Sequence, residues 1–139
     1  MARIIALDIG SKRTGIAVTD PLQMIATGLE GIDTKELVPY LKKYMLVENV
    51  ELIVVGKPMQ MNFSESESWE TIQEIAKKIQ LAFSNINLVY YDERFTSKIA
   101  LQSMKMAGGT KTEMKNKKKV DMVSATVLLQ SYMEHKKVL

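Results

Sequence analysis

Four acidic side chains stand where the residue pattern predicts the end of a strand or the start of a helix. Asp8 ends one apolar run, Asp92 and Glu93 follow another, and Asp121 precedes a long amphipathic stretch. A carboxylate beside an apolar core is costly to desolvate unless a partner compensates its charge. Two carboxylates about 4 Å apart repel by roughly 1–4 kcal/mol at a surface-like dielectric. If the fold brings these acids together, we expect bound cations to relieve that repulsion.

The ligand types in the chain restrict which cations those could be. Cysteine is absent, which excludes disulfides and thiolate metal sites, and the single histidine, His135, argues against a histidine-rich zinc site. Oxygen ligands favour Mg²⁺ or Mn²⁺. Two such ions about 3.5–4 Å apart can activate a water and stabilise the leaving oxygen of an in-line displacement. The predicted chemistry is hydrolysis of phosphodiester bonds.

Each acid also has a purely structural interpretation. Asp8 could accept hydrogen bonds from the turn that follows it. Asp92 or Glu93 could form a surface pair with Arg94, which contributes little energy. Asp121 could be a favourable acid in the first turn of a helix. Because neighbouring strand residues face opposite ways, one of Asp92 and Glu93 is expected to face Asp8, and which one stays open.

Hydrophobic periodicity predicts the elements that must position these acids. Strands are expected over 3–9, 15–19, 24–32, 50–56 and 86–91, helices over 35–48, 67–83, 95–107 and 119–136, and a polar loop over 59–66. Short turns between the first three strands imply antiparallel neighbours, and the helical crossovers imply parallel ones. The predicted fold is α/β, a mixed five-stranded sheet of three antiparallel strands followed by parallel strands, with helices on both faces. That order matches the ribonuclease H-like fold.

Two local features are expected within these elements. Asp33 or Thr34 should cap the helix over 35–48. Gly28 and Gly31 should weaken or bulge the third strand.

Side-chain periodicity also assigns faces to two of the acids. Asp8 shares a strand face with Ala6, two residues before it. Asp121 shares a helical face with Ala125 and Leu128, so it should lie on or beside the stripe that packs toward the sheet.

Length and composition predict one globular domain over residues 1–139. Apolar residues make up 46% and charged residues 25% of the chain. No apolar run approaches the roughly 20 residues that span a bilayer, and the first residues lack the features of a signal peptide. Together with the absence of cysteine, these observations favour a cytoplasmic protein that does not associate with membranes.

The net charge of +3 is unevenly distributed. Six lysines and one acid, Glu113, lie between Lys105 and Lys119. Such a cluster is a candidate patch for contacting phosphates, and a solvated flexible loop is the alternative interpretation.

Four segments together resemble the YqgF family over essentially the whole chain. They are LDIGSKRTGIAV (7–18), VVGKP (54–58), YDERFTSKIA (91–100) and KKVDMVSATVLLQSYM (118–133). The family comprises RuvC-like, ribonuclease H-fold proteins described as Holliday-junction resolvases and as nucleases that mature precursor small-subunit ribosomal RNA. The resemblance implies a bacterial cytoplasmic nuclease whose metal site is formed by Asp8, the acidic pair (Glu93 above Asp92) and Asp121.

Residue roles follow from that resemblance as hypotheses. Asp8 would bridge two metal ions, with Glu93 and Asp121 each holding one, and Arg94 would brace the acidic pair or contact a phosphate. The remaining cations expected to bind backbone phosphates are Lys12, Arg13, Lys111, Lys115, Lys117, Lys118 and Lys119.

This chain departs from the family pattern at two other places: the family usually has an apolar residue at Lys57 and an Asp-Gly-Thr-type loop at 61–68. The substrate contacts of that loop therefore stay open.

Other functions fit parts of the pattern. Asp8 and Gly10, followed by Gly15, satisfy the D-x-G-x-x-x-x-G phosphate-binding turn of actin- and hexokinase-like ATPases, which need two such domains to enclose a nucleotide. A non-catalytic nucleic-acid-binding module is the second alternative. For a nuclease, structured RNA and branched DNA are both open as substrates, and so are a monomer and a homodimer.

Overall fold

The computed structural model describes residues 2–58, 63–92 and 117–138. Its strands are β1 (Arg3–Ile9), β2 (Arg13–Thr19), β3 (Ala26–Asp33), β4 (Val50–Lys57) and β5 (Asn87–Asp92). Its helices are α1 (Leu37–Val47), α2 (Phe63–Ala82) and α3 (Lys117–Val138), with a short 3₁₀ turn (Thr34–Glu36) before α1. The predicted helix over 95–107 and four predicted site residues, Glu93, Arg94, Lys111 and Lys115, lie outside the described residues.

The strands form one sheet in the order β3-β2-β1-β4-β5. β1 pairs antiparallel with β2 and β2 with β3, whereas β4 is parallel to both β1 and β5. The predicted mixed five-stranded sheet is therefore confirmed. β1 lies at its centre, which explains why its sequence is apolar almost throughout.

Helices cover both faces of the sheet, and β1 contributes alternate residues to each. Ile5 and Leu7 are fully buried in the cluster that packs under α1 and α2. Ile4 and Ala6 are buried in the cluster under α3. Because Asp8 follows Ala6 by two residues in the same strand, it lies on the α3 face.

The apolar stripes of the helices match the predicted spacing. In α1, Leu37 and Leu41 are fully buried, and in α2, Ile79 is. In α3, Ala125 and Leu128 are buried against the sheet, four and seven residues after Asp121. The predicted face of Asp121 is thus the face that α3 turns toward the strands.

The predicted side-chain cap of α1 is wrong. Neither Asp33, before the 3₁₀ turn, nor Glu36, before α1, makes a side-chain capping hydrogen bond. The Thr34 hydroxyl instead donates to the carbonyl oxygen of Gly10 at 2.6 Å. A buried hydroxyl needs a partner, and the hairpin between β1 and β2 supplies one nearer than the helix does.

Two helices begin earlier than predicted. α2 starts at Phe63, inside the segment predicted as a polar loop, and α3 starts at Lys117 rather than 119. Serine and glutamate are compatible with a helix start, so polarity alone did not distinguish that start from a loop.

The predicted irregularity of β3 is confirmed as a register shift, because Ile16 pairs with Glu30 but Ala17 with Gly28. No helix among the described residues is long and apolar enough to span a membrane.

Candidate active site

One edge of the sheet collects the carboxyl ends of its three parallel strands. β1 approaches this edge with Asp8, β4 ends there at Lys57, and β5 ends there at Asp92. Ligands of open α/β sheets bind at such an edge. The first turns of α3 come to the same edge and bring Asp121 with them.

Gly15 determines how closely Asp121 approaches Asp8. Gly15 is the β2 residue directly opposite Asp8 in the antiparallel register. A Cβ atom on Gly15 would lie 1.8 Å from the backbone oxygen of Asp121, so the helix backbone rests directly on the strand there. Adjacent strands are about 4.8 Å apart, which puts the backbone of Asp121 over the immediate neighbour of Asp8. The two acids therefore meet although they are distant in the sequence.

Asp8 and Asp121 line a common pocket of about 250 Å³ at this edge. Its other lining residues come from the end of β1 and the turn into β2: Ile9, Gly10, Ser11, Lys12 and Arg13. Such a volume exceeds that of several water molecules, so the pocket can admit a hydrated cation or a phosphate group.

Arg13 forms an ion pair with Asp121. Its Nε donates to Oδ2 of Asp121 at 2.9 Å, and the two side chains are 33% and 21% exposed. Arg13 alternates with Gly15 along β2 and therefore points to the α3 face. A residue predicted to bind phosphate thus forms an ion pair with a predicted metal ligand.

A buried hydrogen-bond network holds the turn that carries the pocket. The backbone N–H of Gly10 donates to the carbonyl of Arg13 at 2.9 Å, closing the hairpin. The Thr34 hydroxyl, which donates to Gly10, also lies 2.9 Å from the hydroxyl of Thr14, and the Thr34 N–H donates to the carbonyl of Lys12. The β3–α1 junction therefore fixes the loop beside Asp8.

Sequence reasoning missed these supporting residues. A glycine inside a strand is a signal of close backbone approach, and Gly15 carries that signal. For Thr14 and Thr34 the sequence contains no comparable signal, because their importance depends on the register between β2 and β3.

The two faces of β5 show on which side of the sheet Asp92 lies. The Tyr91 hydroxyl lies 3.0 Å from that of Ser131 in α3, so Tyr91 faces the Asp8 side of the sheet. Tyr90 makes an edge contact with Trp69 of α2, at 4.9 Å between ring centroids, so it faces the other side. Asp92 follows Tyr90 by two residues of strand and shares its face, opposite that of Asp8.

The site offers oxygen donors to a metal ion. Within the described ranges, no three histidine, cysteine, aspartate or glutamate side chains are grouped to hold one. Asp8 and Asp121 do face a common polar pocket, and the guanidinium of Arg13 already occupies a cation position against Asp121. The carboxylates of Asp8 and Asp121 are oxygen donors of the kind that suits Mg²⁺ or Mn²⁺.

Four of the predicted phosphate-binding lysines fall in the described part of the chain. Lys12 is exposed in the β1–β2 turn, beside the pocket. Lys117, Lys118 and Lys119 are exposed in the first turn of α3, one turn before Asp121. The amino-terminal end of a helix already carries partial positive charge, so these lysines add to a field that attracts anions.

Comparison with known proteins places the chain in a family. Residues 2–135 match the model of the RuvX family, described as a Holliday junction resolvase. Relatives from Phocaeicola vulgatus and Porphyromonas gingivalis, both named "Putative pre-16S rRNA nuclease", are 47% and 46% identical to this chain. The matches cover 99% and 97% of this chain and 99% and 98% of those proteins.

The fold also resembles a solved structure. Thermus thermophilus RuvC in complex with a Holliday junction substrate matches with a TM-score of 0.52 and 13% identity, over 96% of each chain. At that identity the likeness concerns the fold alone, and it confirms the predicted ribonuclease H-like architecture. Since the family model and the relatives span nearly all of the sequence, the chain belongs to the RuvX (YqgF) family.

Proposed function

We propose that this chain is a metal-dependent endonuclease that hydrolyses phosphodiester bonds near the 5′ end of precursor 16S ribosomal RNA. The observation that carries the proposal is the meeting of Asp8 and Asp121 in one pocket at the carboxyl edge of the sheet. The names of the relatives support the substrate. Residues 1–139 would act as a single nuclease domain, and ribosome maturation would take place in the bacterial cytoplasm.

The metal ligands in this proposal are Asp8, Asp121 and Glu93. Glu93 is preferred to Asp92 because Asp92 shares the face of Tyr90, opposite that of Asp8, and because the family resemblance favours Glu93. One or two Mg²⁺ or Mn²⁺ ions held by these acids would supply activation of water and neutralisation of the leaving oxygen.

The other residues of the edge have roles in binding and orientation. Lys12 and the three lysines of the first α3 turn would bind phosphates on both sides of the scissile bond. Thr34 would keep the turn around Gly10 and Lys12 in one conformation, so that the lysine and Asp8 keep their relative positions. These contacts are to the backbone of the nucleic acid and would not by themselves select a sequence.

A Holliday junction resolvase is the second candidate function, because the matching family model carries that description. Both functions use the same carboxylates and differ in the shape of the nucleic acid that must reach them. A junction has two-fold symmetry, so its resolution would favour a homodimer.

The decisive experiment compares cleavage of a precursor 16S fragment and a four-way DNA junction, each with Mg²⁺ or Mn²⁺. Asp8→Asn and Asp121→Asn should each lower the cleavage rate at least about a hundredfold, more than the loss of a residue that only supports a ligand. Both variants should still bind the RNA, because the lysines that contact phosphates are unchanged.

Asp20→Asn is the matched control, since Asp20 lies after β2 at the opposite edge of the sheet. It removes one carboxylate and should leave the rate unchanged. Cleavage by Asp8→Asn at the parental rate would contradict the proposal. Cleavage of the junction but not of the RNA would show that branched DNA, and not precursor 16S RNA, is the substrate.

A further inference from the structure

Arg13 pairs with a residue that the proposed function assigns to a metal ion, so it cannot keep that contact when the metal binds. Its guanidinium pairs with Asp121 at 2.9 Å inside the pocket that Asp8 also lines. A divalent cation bound to Asp121 would stand within a few ångströms of that guanidinium. Two positive groups so close repel each other, so the cation and the Arg13–Asp121 pair compete for the same carboxylate.

The ion pair can give way in that competition. Arg13 is 33% exposed and Asp121 21% exposed, and partly exposed pairs of this kind contribute little to stability. Arg13 is also the first residue of β2, next to the turn that contains Lys12. A guanidinium released from Asp121 would therefore lie beside a lysine expected to bind phosphate, and its planar donors suit a phosphate oxygen pair.

We infer that Arg13 is an internal counter-ion of Asp121 that a bound divalent cation displaces and that then contacts a phosphate of the substrate. The inference rests on the proposed function and deepens it, because it couples two binding events through one side chain. By thermodynamic linkage, the cation must tighten nucleic-acid binding by the same factor by which the nucleic acid tightens cation binding. Arg13 is a positioning residue for the cation and a binding residue for the substrate.

The first test measures Mn²⁺ binding by calorimetry in the absence of nucleic acid. Arg13→Met removes the charge and keeps much of the side-chain volume, and it should tighten Mn²⁺ binding roughly tenfold, because a repelling charge a few ångströms away is gone. Arg13→Lys keeps the charge and should bind Mn²⁺ as the parent does. Asp121→Asn should bind it far more weakly than either.

The second test measures the affinity for a hairpin RNA, with and without Mn²⁺, on samples whose RNA is verified to be intact. In the parent, Mn²⁺ should tighten RNA binding, and in Arg13→Met that gain should largely disappear. Arg13→Lys should recover part of it. If Arg13→Met does not fold, Arg13→Gln provides the same comparison with a polar side chain.

Unchanged or weaker Mn²⁺ binding by Arg13→Met would overturn the inference, because a merely structural ion pair predicts that result together with a lower unfolding temperature. An unchanged gain in RNA affinity would overturn it as well. If the parent itself bound no Mn²⁺, the metal site of the proposed function would fail, and this inference with it. If the parent bound Mn²⁺ and Arg13→Met bound it equally well, this inference would fail and the proposed metal site would stand.

Discussion

Two aspartates show how single residues of this fold are held in different ways. Asp20 lies in the β2–β3 turn, where its Oδ1 accepts hydrogen bonds from the N–H groups of Ile25 at 2.7 Å and Met24 at 2.8 Å. Asp121 is held by a guanidinium, a partner that a cation can replace. Backbone donors cannot leave in that way, so Asp20 is fixed as a turn residue, whereas Asp121 would become available for binding once Arg13 left it.

The hydrogen bonds to Asp20 predict a pH-dependent contribution to stability. The N–H of Ile25, followed by those of Met24 and Leu22, lowers the pKa of Asp20 below its usual 3.8. A lowered pKa in the folded state gives stability that is present above the unfolded value and is lost as the pH falls through the folded one. Asp20→Asn should thus be less stable than the parent at neutral pH.

Urea unfolding at several pH values measures this effect. The difference in unfolding midpoint between Asp20→Asn and the parent should be constant well above pH 3.8 and should close as the pH falls further below that value. A difference that stays the same across the whole range would show that the charge of Asp20 contributes nothing.

Residues that interrupt an apolar pattern could be found from sequence. Asp8 breaks a buried strand and Asp121 begins a helix stripe, so their faces followed from periodicities of two and 3.6. Thr34 was predicted only as a helix cap, and its contacts with Gly10 and Thr14 could not be found because they are set by pairing between strands. Arg13 was identified as a cation at the site, but its partner depended on where α3 docks.

At the scale of elements, α3 docks on β2 and β3 through glycines. Besides Gly15, a Cβ on Gly31 would lie 2.1 Å from the backbone oxygen of Lys118. The three atoms nearest to a Cβ on Gly28 would all belong to side chains, with Cγ of Met122 at 2.7 Å and Oγ1 of Thr126 at 2.9 Å. The helix start is thus fixed by backbone contact, and the next turn by side chains that can rotate.

This difference predicts unequal costs for two alanine substitutions. Gly15→Ala should lower the free energy of unfolding by about 3 kcal/mol, because a backbone must move to admit the methyl group, and Gly28→Ala by about 1 kcal/mol. Since α3 carries Asp121, Gly15→Ala should also weaken Mn²⁺ binding.

Urea unfolding and Mn²⁺ calorimetry on both variants check the two parts of this prediction. Gly28→Ala is the matched control, with the same chemical change on the neighbouring strand. Equal losses of stability would show that α3 adjusts as easily at Asp121 as at Met122, and would argue against Gly15 as the residue that sets the approach of the two acids.

Element types were more predictable than element starts. The buried runs of β1 and β4 and the stripes of α1 and α3 are long enough to determine strand or helix. The start of α2 at Phe63 was missed because serine and glutamate occur in loops as often as in first turns. The sheet order followed from connection lengths, since short turns and helical crossovers leave few topologies.

At the scale of the whole molecule, positive charge is concentrated at the amino-terminal end of α3, where it lowers the stability of that helix. The chain carries a net charge of +3, and Lys117, Lys118 and Lys119 lie exposed in the first turn of a 22-residue helix. Cations are unfavourable at the positive end of a helix dipole. A cost in stability at the edge that holds Asp8 and Asp121 is understandable if that edge binds an anion.

Neutralising two of these lysines should therefore change stability and binding in opposite directions. Lys117→Gln with Lys118→Gln should raise the unfolding temperature slightly, because it removes two charges that oppose the helix dipole. The same double variant should weaken RNA binding and reduce the slope of log affinity against log salt by about 1 per lysine. Lys77→Gln with Lys78→Gln, an exposed pair on α2 across the sheet, is the control and should leave that slope unchanged. Thermal unfolding and salt titrations of hairpin RNA binding measure both effects. Equal losses of slope in the two double variants would mean that RNA is attracted by net charge and not by the edge where the acids meet.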